Sequence, residues 1–451
     1  MHSFEKYHAF KPNHEQKRVL NDLYNFVNPK DERDVMILKG AAGTGKTSIL
    51  AMINRYILEN SMNCRLAAPT GRAANILHSK VSADVKTIHS MIFIPESLPD
   101  GKVKFNLRNV NNDGYTIYII DESSMISNSY DITNRYISEE PLLSSLIRYV
   151  KMGNKNNKII FVGDPYQLPP IVSFHERSFC PALDANYLKN RFNMNPGENE
   201  LKEVMRQSDN SPVLDLATEI RDKIESGDTM YTKYPERING WSQIRDIYMK
   251  KFDINKLDKV TVVCHTNKDV NWWNNTIRNE MFNDSSNLLC NGELVTIQKN
   301  TWTKEGLIYN GEVGVIKNFN PIPRKCANLH FSECEIEFIR YGERFSIKKL
   351  VCWESILSIN GNLSAKQETQ LYAAAMKSNP IFRDTKNIFD DEYLNAFRLR
   401  YGYASTCHKA QGGEWDTVFI HPYLKALKID RAKWMYTACT RARSEVFSWT
   451  N

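Results

Sequence analysis

Short apolar runs alternate with helix-like patterns through the first part of the chain. Residues 35–38, 65–68, 115–120 and 158–162 are the best candidates for buried strands, and each run ends in a polar or glycine-rich loop. Strands that alternate with helices favour a parallel sheet, and such sheets bind ligands at the carboxyl ends of their strands. The pattern therefore predicts an α/β fold with its chemistry in the loops that follow these strands.

The alternation breaks between His89 and Tyr115. Pro95 and Pro99 interrupt the chain there, and residues 102–107 alternate between polar and apolar side chains. This pattern predicts a small hairpin inserted into the first α/β region.

A second α/β region is predicted to begin near Glu198. Ser211 and Pro212 are suited to the start of a helix that Gly227 ends. Residues 260–264 form another buried strand, and the α/β pattern returns at residue 401. Strand-like runs dominate residues 292–351, which favours a small inserted β-barrel with a tight turn at Asn310 and Gly311.

The predicted domain organisation follows from these changes of pattern. Residues 355–398 are polar and partly helical, and they are grouped with the predicted barrel. The predicted domains are residues 1–88 and 114–197 for the first α/β domain, 89–113 for the hairpin, 198–291 and 399–451 for the second α/β domain, and 292–398 for the insertion.

Composition narrows the class of protein. The chain has 451 residues, of which 42% are apolar and 25% charged, so it can bury sizeable cores and is not predominantly disordered. Lys and Arg total 59 and Asp and Glu total 52, and the resulting net charge of +7 permits a polyanionic partner without demonstrating one. No apolar run approaches the ~18 residues of a membrane helix. The nine cysteines are scattered without a CxxC pair, which argues against a zinc ribbon or a disulfide scaffold and favours reduced thiols.

The strongest chemical signal is a phosphate-binding loop at residues 40–47. The segment reads GAAGTGKT, follows an apolar strand and opens a predicted helix, as the P-loop pattern requires. Backbone N–H groups of such a loop point at an anion, the lysine reaches the β- and γ-phosphates, and the last hydroxyl ligates Mg²⁺. The candidate nucleotide-binding residues here are Gly43, Thr44, Gly45, Lys46 and Thr47.

Two further strand ends carry polar groups that suit ATP hydrolysis. Asp121 and Glu122 follow one strand, where the first carboxylate can hold Mg²⁺ and the second can orient and deprotonate the attacking water. Gln167 lies in the loop 163–170 after another strand and can sense the γ-phosphate.

These motifs, taken in order, resemble those of the superfamily-one helicases of the RecD-like branch. In size and layout the resemblance is greatest to compact phage-encoded members. The matching segments are Gln16 and residues 68–74, 87–90, 121–122, 163–170, 201–207, 266–268, 309–312, 403–412 and 436–442.

The resemblance implies roles for further residues. Gln16 would read adenine, Arg206 would reach the γ-phosphate, Arg441 would be the arginine finger, and Gly412 would lie at the nucleotide. Phe105, in the hairpin, would be the wedge that separates base pairs, with packing of the hairpin as the alternative. The residues implied in binding the DNA strand are Pro69, Thr70, Arg72, Thr87, His89, Thr406, His408 and Lys409.

The resemblance also implies an architecture and an activity. The two α/β regions would be RecA-like motor domains, the hairpin a pin, and the inserted barrel SH3-like. ATP, with Mg²⁺, would be hydrolysed between the motor domains as the enzyme moves 5′→3′ on single-stranded DNA and unwinds forked duplexes. Replication or recombination proteins such as a single-strand binding protein would be its partners. A cytoplasmic monomer, acting in the nucleoid or in a phage host and away from membranes, is expected.

Several alternatives stay open at this stage. The chain can instead be a nucleotide-gated protein that binds single strands, or a helicase that acts on RNA. A signalling GTPase is disfavoured, because the NKxD motif would need Asp where the chain has Val270. Trp272 suits base stacking, whereas the spacing of Trp273 with Val270 and Ile277 favours a core position.

Overall fold

The computed structural model describes residues 11–98, 102–110, 114–130, 136–170, 179–205, 211–231, 233–283, 286–340, 342–422 and 430–450. The chain divides into two compact units. The first contains residues 1–95 and 105–214, and the second contains residues 96–104 and 215–451. No helix within the described ranges is both long and apolar enough to cross a membrane.

The elements up to residue 201 alternate as the sequence predicts. They are α1 (His14–Phe26), β1 (Val35–Gly40), α2 (Lys46–Glu59), β2 (Asn63–Ala68), α3 (Gly71–Val81), β3 (Val85–Thr87), α4 (Ile88–Ile92), β4 (Phe93–Ser97), β5 (Val103–Leu107), β6 (Thr116–Ile120), β7 (Tyr136–Ser138), α5 (Leu142–Gly153), β8 (Lys158–Gly163), α6 (Ala185–Phe192) and β9 (Pro196–Leu201).

A six-stranded parallel sheet organises this unit, in the order β3-β2-β6-β8-β1-β9. Side chains on successive positions of a strand point to opposite faces, so Met36 and Leu38 of β1 join one core while Val35 and Ile37 join the other. The first core is covered by α1, α2 and α3, and the second by α4 and α5. The four strands predicted from apolar runs are confirmed as β1, β2, β6 and β8.

The predicted start of the second α/β region at Glu198 is wrong. β9 pairs in parallel with β1 along its whole length, from Val35 opposite Pro196 to Gly40 opposite Leu201. Its sequence, PGENEL, carries almost no apolar pattern, because an edge strand buries little of its surface. The first unit therefore continues to Leu214.

The hairpin region forms a separate small sheet. β4 and β5 lie side by side, and β7 is the third strand on the other edge of β5. The backbone N–H of Leu98 donates to the carbonyl of Lys102 at 2.8 Å, which closes the end of the strand pair.

The elements after residue 201 begin with a helix that opens at the predicted proline and passes from the first unit into the second after Leu214. They are α7 (Pro212–Glu225), β10 (Glu236–Asn239), α8 (Gly240–Lys251), β11 (Val260–Cys264), α9 (Asn267–Phe282), β12 (Leu294–Ile297), β13 (Thr301–Thr303), β14 (Gly306–Ile308), β15 (Val313–Phe319), β16 (Arg324–Cys326), β17 (Leu329–Arg340), β18 (Glu343–Cys352), α10 (Trp353–Leu357), α11 (Ala365–Ser378), α12 (Pro380–Thr385), β19 (Leu399–Tyr401), β20 (Ala404–Thr406), α13 (Cys407–Ala410), β21 (Trp415–Ile420), α14 (Arg431–Cys439) and β22 (Ala442–Thr450).

Two larger sheets build this unit. The parallel sheet has the order β10-β22-β21-β11-β20, and the antiparallel sheet has the order β16-β17-β15-β12-β19 with β18 paired to β17. The assignment of residues 399–401 to the second α/β domain is wrong. β19 pairs antiparallel with β12 and so belongs to the antiparallel sheet.

Residues 355–398, which lack a clear pattern in the sequence, have a core of their own. Leu371 and Tyr372 of α11 and Phe382 of α12 pack with Phe331 of β17 and Leu350 of β18. This cluster fixes the helical segment to the antiparallel sheet through apolar contacts.

Candidate functional site

The loop between β1 and α2 has the backbone of a phosphate-binding loop. Gly43 and Gly45 have φ values of +79° and +87°, which L side chains rarely adopt. A Cβ at Gly40 would lie 2.6 Å from the hydroxyl oxygen of Thr44, so only glycine fits there. Since the loop leads directly into α2, backbone N–H groups and the positive end of the helix face one space.

Lys46 is held by the loop itself. Its Nζ donates hydrogen bonds to the carbonyl oxygens of Gly40 at 2.7 Å and Ala41 at 2.9 Å. Thr47, the next residue, is partly buried at the start of α2. The ammonium group thus lies at the loop, and phosphate oxygens can replace the two carbonyl oxygens that accept its hydrogen bonds.

Gln16 lies beneath the loop and is 1% exposed. Its Nε2 donates to the carbonyl of Thr44 at 3.1 Å, and its Oε1 accepts from the backbone N–H of Asn13. A Cβ at Gly45 would lie 2.6 Å from this Nε2. The structure therefore brings Gln16 to the nucleotide loop, where its amide already caps α1 and supports the loop.

Asp121 and Glu122 follow β6, one strand removed from β1. The spacing between adjacent strands places their ends about 10 Å apart. The backbone N–H of Asp121 bonds to the carbonyl of Ala67, and the N–H of Glu122 donates to Oδ1 of Asp121 at 2.9 Å. Glu122 has φ +50°, a left-handed conformation that turns the chain out of the strand. Both carboxylates are therefore at the carboxyl edge of the sheet.

Gln167 lies at the same edge, after β8, and is 4% exposed. Its Oε1 is buried and has no hydrogen-bond partner within the described part of the chain. Gly163 ends β8, and a Cβ there would lie 2.9 Å from the backbone nitrogen of Ser124, which follows the acidic pair. The loop after β8 therefore lies close to the loop after β6. Oε1 of Gln167 is a buried hydrogen-bond acceptor in the first of these loops.

Hydrogen bonds that no sequence motif predicts connect residues 202–205 to the P-loop and to α1. The backbone N–H of Met205 donates to the carbonyl of Gly43 at 2.9 Å. Oε2 of Glu15 accepts from the backbone N–H groups of Lys202 at 2.9 Å and Glu203 at 3.0 Å. Glu15 is a site residue that sequence reasoning missed, since a single Glu in a first helical turn usually serves only the helix dipole.

Arg206 itself lies outside the described residues. Its neighbour Met205 belongs to the first unit, together with the P-loop. The predicted boundary at residue 198 assigns Arg206 to the second α/β domain, and this assignment falls with that boundary.

The predicted strand-binding threonines of the first unit are both helix caps. The hydroxyl of Thr70 accepts from the backbone N–H of Ala73 and caps α3, and that of Thr87 accepts from the backbone N–H of Ser90 and caps α4, each at 3.2 Å. Thr70 follows β2 and Thr87 ends β3, so both lie at the edge of the parallel sheet that also carries the P-loop.

Pro69 and Arg72, on either side of Thr70, are partly buried. Burial lowers the pKa of Arg72 to about 10, and the guanidinium remains charged at neutral pH. Its place in the first turn of α3 puts that charge near the same edge of the sheet.

His89 and Phe105 form an aromatic cluster with Phe93. The ring centroids of His89 and Phe105 are 5.2 Å apart, and those of Phe93 and Phe105 are 5.3 Å apart. Burial lowers the pKa of His89 to about 4, so the imidazole is neutral at pH 7. Phe105, the middle residue of β5, packs against the second core of the first unit, which favours the packing alternative; its role as a wedge stays a prediction.

The second unit has a helix-capping threonine followed by a buried histidine at the end of β20, like Thr87 and His89 in the first unit. Thr406 caps α13 by accepting from the backbone N–H of Lys409 at 3.4 Å. Burial, with a smaller contribution from the charge of His265, lowers the pKa of His408 to about 4. Nζ of Lys409 donates to Oε1 of Gln298 at 2.7 Å. Both units therefore place a capping threonine two residues before a neutral imidazole.

Arg441 is 4% exposed and donates hydrogen bonds to neutral groups of its own unit. Its Nε donates to the carbonyl of Thr437 at 3.0 Å, and its Nη1 donates to the carbonyl of Gly413 at 3.3 Å. Gly412 has φ +71°, which turns the chain just before this contact. The guanidinium is thus oriented by acceptors that do not cancel its charge.

The two tryptophans of α9 separate as their spacing predicts. Trp273 is fully buried and its Nε1 donates to Nδ1 of His421 at 3.2 Å. Trp272 is 45% exposed and lies edge-on to Trp241, with ring centroids 5.9 Å apart.

The parallel α/β sheet with this glycine loop, lysine and acidic pair at its carboxyl edge defines a P-loop nucleotide-binding protein. Residues 11–238, just over half of the chain, match the AAA domain family, and residues 401–447 match the UvrD-like helicase C-terminal domain.

Individual relatives match the chain over different lengths. It is 27% identical to the ATP-dependent DNA helicase dda of enterobacteria phage T4, over 96% of this chain and 98% of that protein. It is 32% identical to the RecBCD enzyme subunit RecD of Buchnera aphidicola (subsp. Schizaphis graminum), over 31% of this chain and 24% of that protein. The fold resembles that of a Bacteroides Pif1 helicase in complex with ADP-AlF3 and single-stranded DNA, with a TM-score of 0.52 and 17% identity over 98% of this chain and 92% of that one. The chain therefore belongs to the AAA-domain helicases of superfamily one, the class of the RecD-like enzymes.

Proposed function

We propose that the protein is an ATP-dependent DNA helicase that moves 5′→3′ on single-stranded DNA and unwinds forked duplex. The observation that carries the proposal is the shared edge of the first parallel sheet. The carboxyl ends of its β-strands carry the P-loop with Lys46, the acidic pair and Gln167. The predicted DNA contacts Thr70 and Thr87 lie at the same edge. The nucleotide and the residues that would contact the DNA strand therefore lie along one edge of a single sheet, with β2 and β3 three and four strands away from β1.

Each group at the nucleotide site has a role that suits its position. Lys46 exchanges its two carbonyl acceptors for phosphate oxygens. Glu122, turned out of the strand, orients the attacking water and accepts its proton. Gln167 offers a buried oxygen that lacks a partner among the described residues, which suits a group that senses the γ-phosphate or its water. The resemblance adds Arg441 of the second unit as the arginine finger, and the hydrogen-bond partners of its guanidinium within that unit are neutral.

The residues present fit a single Mg²⁺ ion bound with ATP. Thr47 and Asp121 offer the hydroxyl and carboxylate oxygens that this hard ion prefers, and both follow strands of the same sheet. Within the described residues no group of three or more His, Cys, Asp or Glu side chains could hold a metal ion. Mg²⁺ would neutralise phosphate charge and align the γ-phosphate.

The two inserted regions would handle the nucleic acid. We infer that the β4–β5 hairpin is a pin that separates base pairs, and that the antiparallel sheet of the second unit is an SH3-like domain that supports the translocating strand. A single-strand binding protein is the partner expected where such an enzyme works, and a monomer on DNA is the simplest assembly, because one chain carries both predicted cation donors and the P-loop.

The decisive experiment is the unwinding of two matched DNA duplexes, one with a 5′ single-stranded tail and one with a 3′ tail. With ATP and Mg²⁺, we expect the first to open and the second to stay closed. Hydrolysis should rise on addition of single-stranded DNA. Strand binding without stimulated hydrolysis would instead indicate a nucleotide-gated binding protein, and opening of only RNA-tailed duplexes would indicate an RNA helicase.

A further inference from the structure

Side chains at β12 and β19 of the antiparallel sheet contact two of the helicase-like segments of the second unit, residues 266–268 and 403–412. Thr296 pairs with Arg400 in this ladder, and the backbone N–H of Gln298 donates to the carbonyl of Arg398 at 2.8 Å. Paired residues of antiparallel strands share a face, so Gln298 and Arg400 project from the same side of the sheet.

Arg400 is hydrogen-bonded to the start of α9, and Gln298 is hydrogen-bonded to Lys409 of α13. Arg400 is 5% exposed and donates to Oδ1 of Asn267 at 2.7 Å and to the carbonyl of the same residue at 2.8 Å. Gln298 is 5% exposed and accepts from Nζ of Lys409 at 2.7 Å. Asn267 begins α9, and Lys409 lies in α13 after the capping Thr406.

Gln298 is itself held in one orientation. Its Nε2 donates to the carbonyl of Thr296 at 3.2 Å, so its oxygen is the atom that faces Lys409. Gly361 also lies close to this side chain. A Cβ added at Gly361 would lie 2.8 Å from Cγ of Gln298 and 3.2 Å from its Oε1. The amide is therefore a fixed acceptor rather than a mobile surface group.

An amide has a different effect on Lys409 from that of a carboxylate. Lys409 is exposed, and an exposed lysine loses considerable side-chain entropy when it is fixed against a ligand. A neutral acceptor removes part of this cost in advance and does not itself neutralise the positive charge. A carboxylate would fix the ammonium equally well but cancel the charge that attracts phosphate.

We propose that Gln298 is a positioning residue that holds the Lys409 ammonium ready for a phosphate group of the bound DNA strand. The antiparallel sheet thereby positions a DNA contact in α13, which follows β20 of the parallel sheet. This inference rests on the proposed function, because it takes Lys409 as a strand contact.

The test is a double-mutant cycle on affinity for single-stranded DNA, measured over a range of salt concentrations. Lys409→Met should lower affinity and reduce the salt slope by about 0.7, the contribution of one phosphate contact on a single strand. Gln298→Leu should weaken binding about three- to tenfold in the parent. It should have no further effect in the Lys409→Met background, because it acts through that lysine.

Gln298→Glu provides a variant of nearly the same shape, which keeps the test valid if the leucine variant folds poorly. It should reduce the salt slope as Lys409→Met does, because the new carboxylate neutralises the ammonium. Lys317→Met, on β15 of the same sheet, is the matched control and should leave binding near the parent value. Hydrolysis without DNA should be unchanged in the Gln298 variants, and the DNA concentration for half-maximal stimulation should rise while the maximal rate is kept.

Two results would overturn the inference. One is full additivity of Gln298→Leu and Lys409→Met, and the other is unchanged affinity in both Gln298 variants. Failure of the proposed function has a different signature, namely that the unmodified protein shows no DNA-stimulated hydrolysis at all, and this would end both proposals.

Discussion

The ammonium of Lys46 donates a 2.7 Å hydrogen bond to the carbonyl oxygen of Gly40, at the start of its own loop. With the second bond to Ala41, this contact holds the lysine in the loop before any phosphate arrives. Nucleotide binding then exchanges neutral acceptors for charged ones, which form stronger bonds with an ammonium group. The site is thus partly organised in advance for ATP.

The first prediction concerns this lysine. Lys46→Ala should reduce ATP hydrolysis at least about a hundredfold, because it removes the cation at the transferred phosphate. Strand binding should remain measurable, because it uses different residues. Lys39→Ala, a lysine at the end of β1 that pairs with Glu198, is the matched control and should hydrolyse ATP normally. Near-parent turnover in Lys46→Ala would remove the ATPase assignment.

The second prediction concerns the support that Gln16 gives to the P-loop. Gly45→Ala places a methyl group against Nε2 of Gln16 and also strains a backbone with φ +87°. We expect ATP to bind at least about tenfold more weakly, and the backbone strain to cost about 1–2 kcal/mol of stability. Gly227→Ala separates the two effects, since Gly227 has φ +85° and a Cβ there would have no neighbour within 4 Å. Equal ATP affinity in the two variants would argue against the role of Gln16, with binding measured by titration of a fluorescent nucleotide.

The third prediction separates two roles of Phe105. Phe105→Ala should lower stability by about 2–3 kcal/mol, since the ring packs on His89 and Phe93. Phe105→Leu restores apolar volume but not an aromatic face. If the residue is a wedge, the leucine variant should translocate normally and unwind duplex slowly. If it only packs the hairpin, the leucine variant should recover both activities, and strand displacement rates compared with translocation rates on single strands decide the matter.

The fourth prediction concerns pH. The folded-state pKa values of His89 and His408 are about 4, below the ordinary value near 6.5, because burial disfavours the charged imidazole. The unfolded chain therefore takes up protons first as the pH falls, and stability is lost between about pH 6.5 and pH 4. Each histidine should lower the free energy of unfolding by up to about 2 kcal/mol between pH 7.5 and pH 5.

Urea unfolding at these two pH values tests this expectation for each unit. His89→Gln should flatten the pH dependence of the transition of the first unit, and His408→Gln that of the second. An unchanged pH dependence in both variants would show that the two imidazoles do not titrate as their burial implies.

Local signals in the sequence located much of the fold and of the nucleotide site. The predicted strand at residues 260–264 matches β11 residue for residue, and the P-loop opens α2 as its motif requires. These features depend on neighbours a few positions apart, such as glycines that permit a turn or apolar runs long enough for a buried strand. The core position of Trp273 is predictable for the same reason, since the helical repeat places it with Val270 and Ile277.

The tertiary structure alone decided where the domains meet and which groups support the site. β9 and β19 are short strands whose sequences fit either neighbouring domain, and their partners β1 and β12 lie far away along the chain. The roles of Glu15 and Gln298 likewise arise from contacts with Lys202 and Lys409, more than a hundred residues distant in each case. Local sequence determines the conformation that each segment prefers. The choice among distant partners is made by the packing of the whole unit, which a local pattern does not contain.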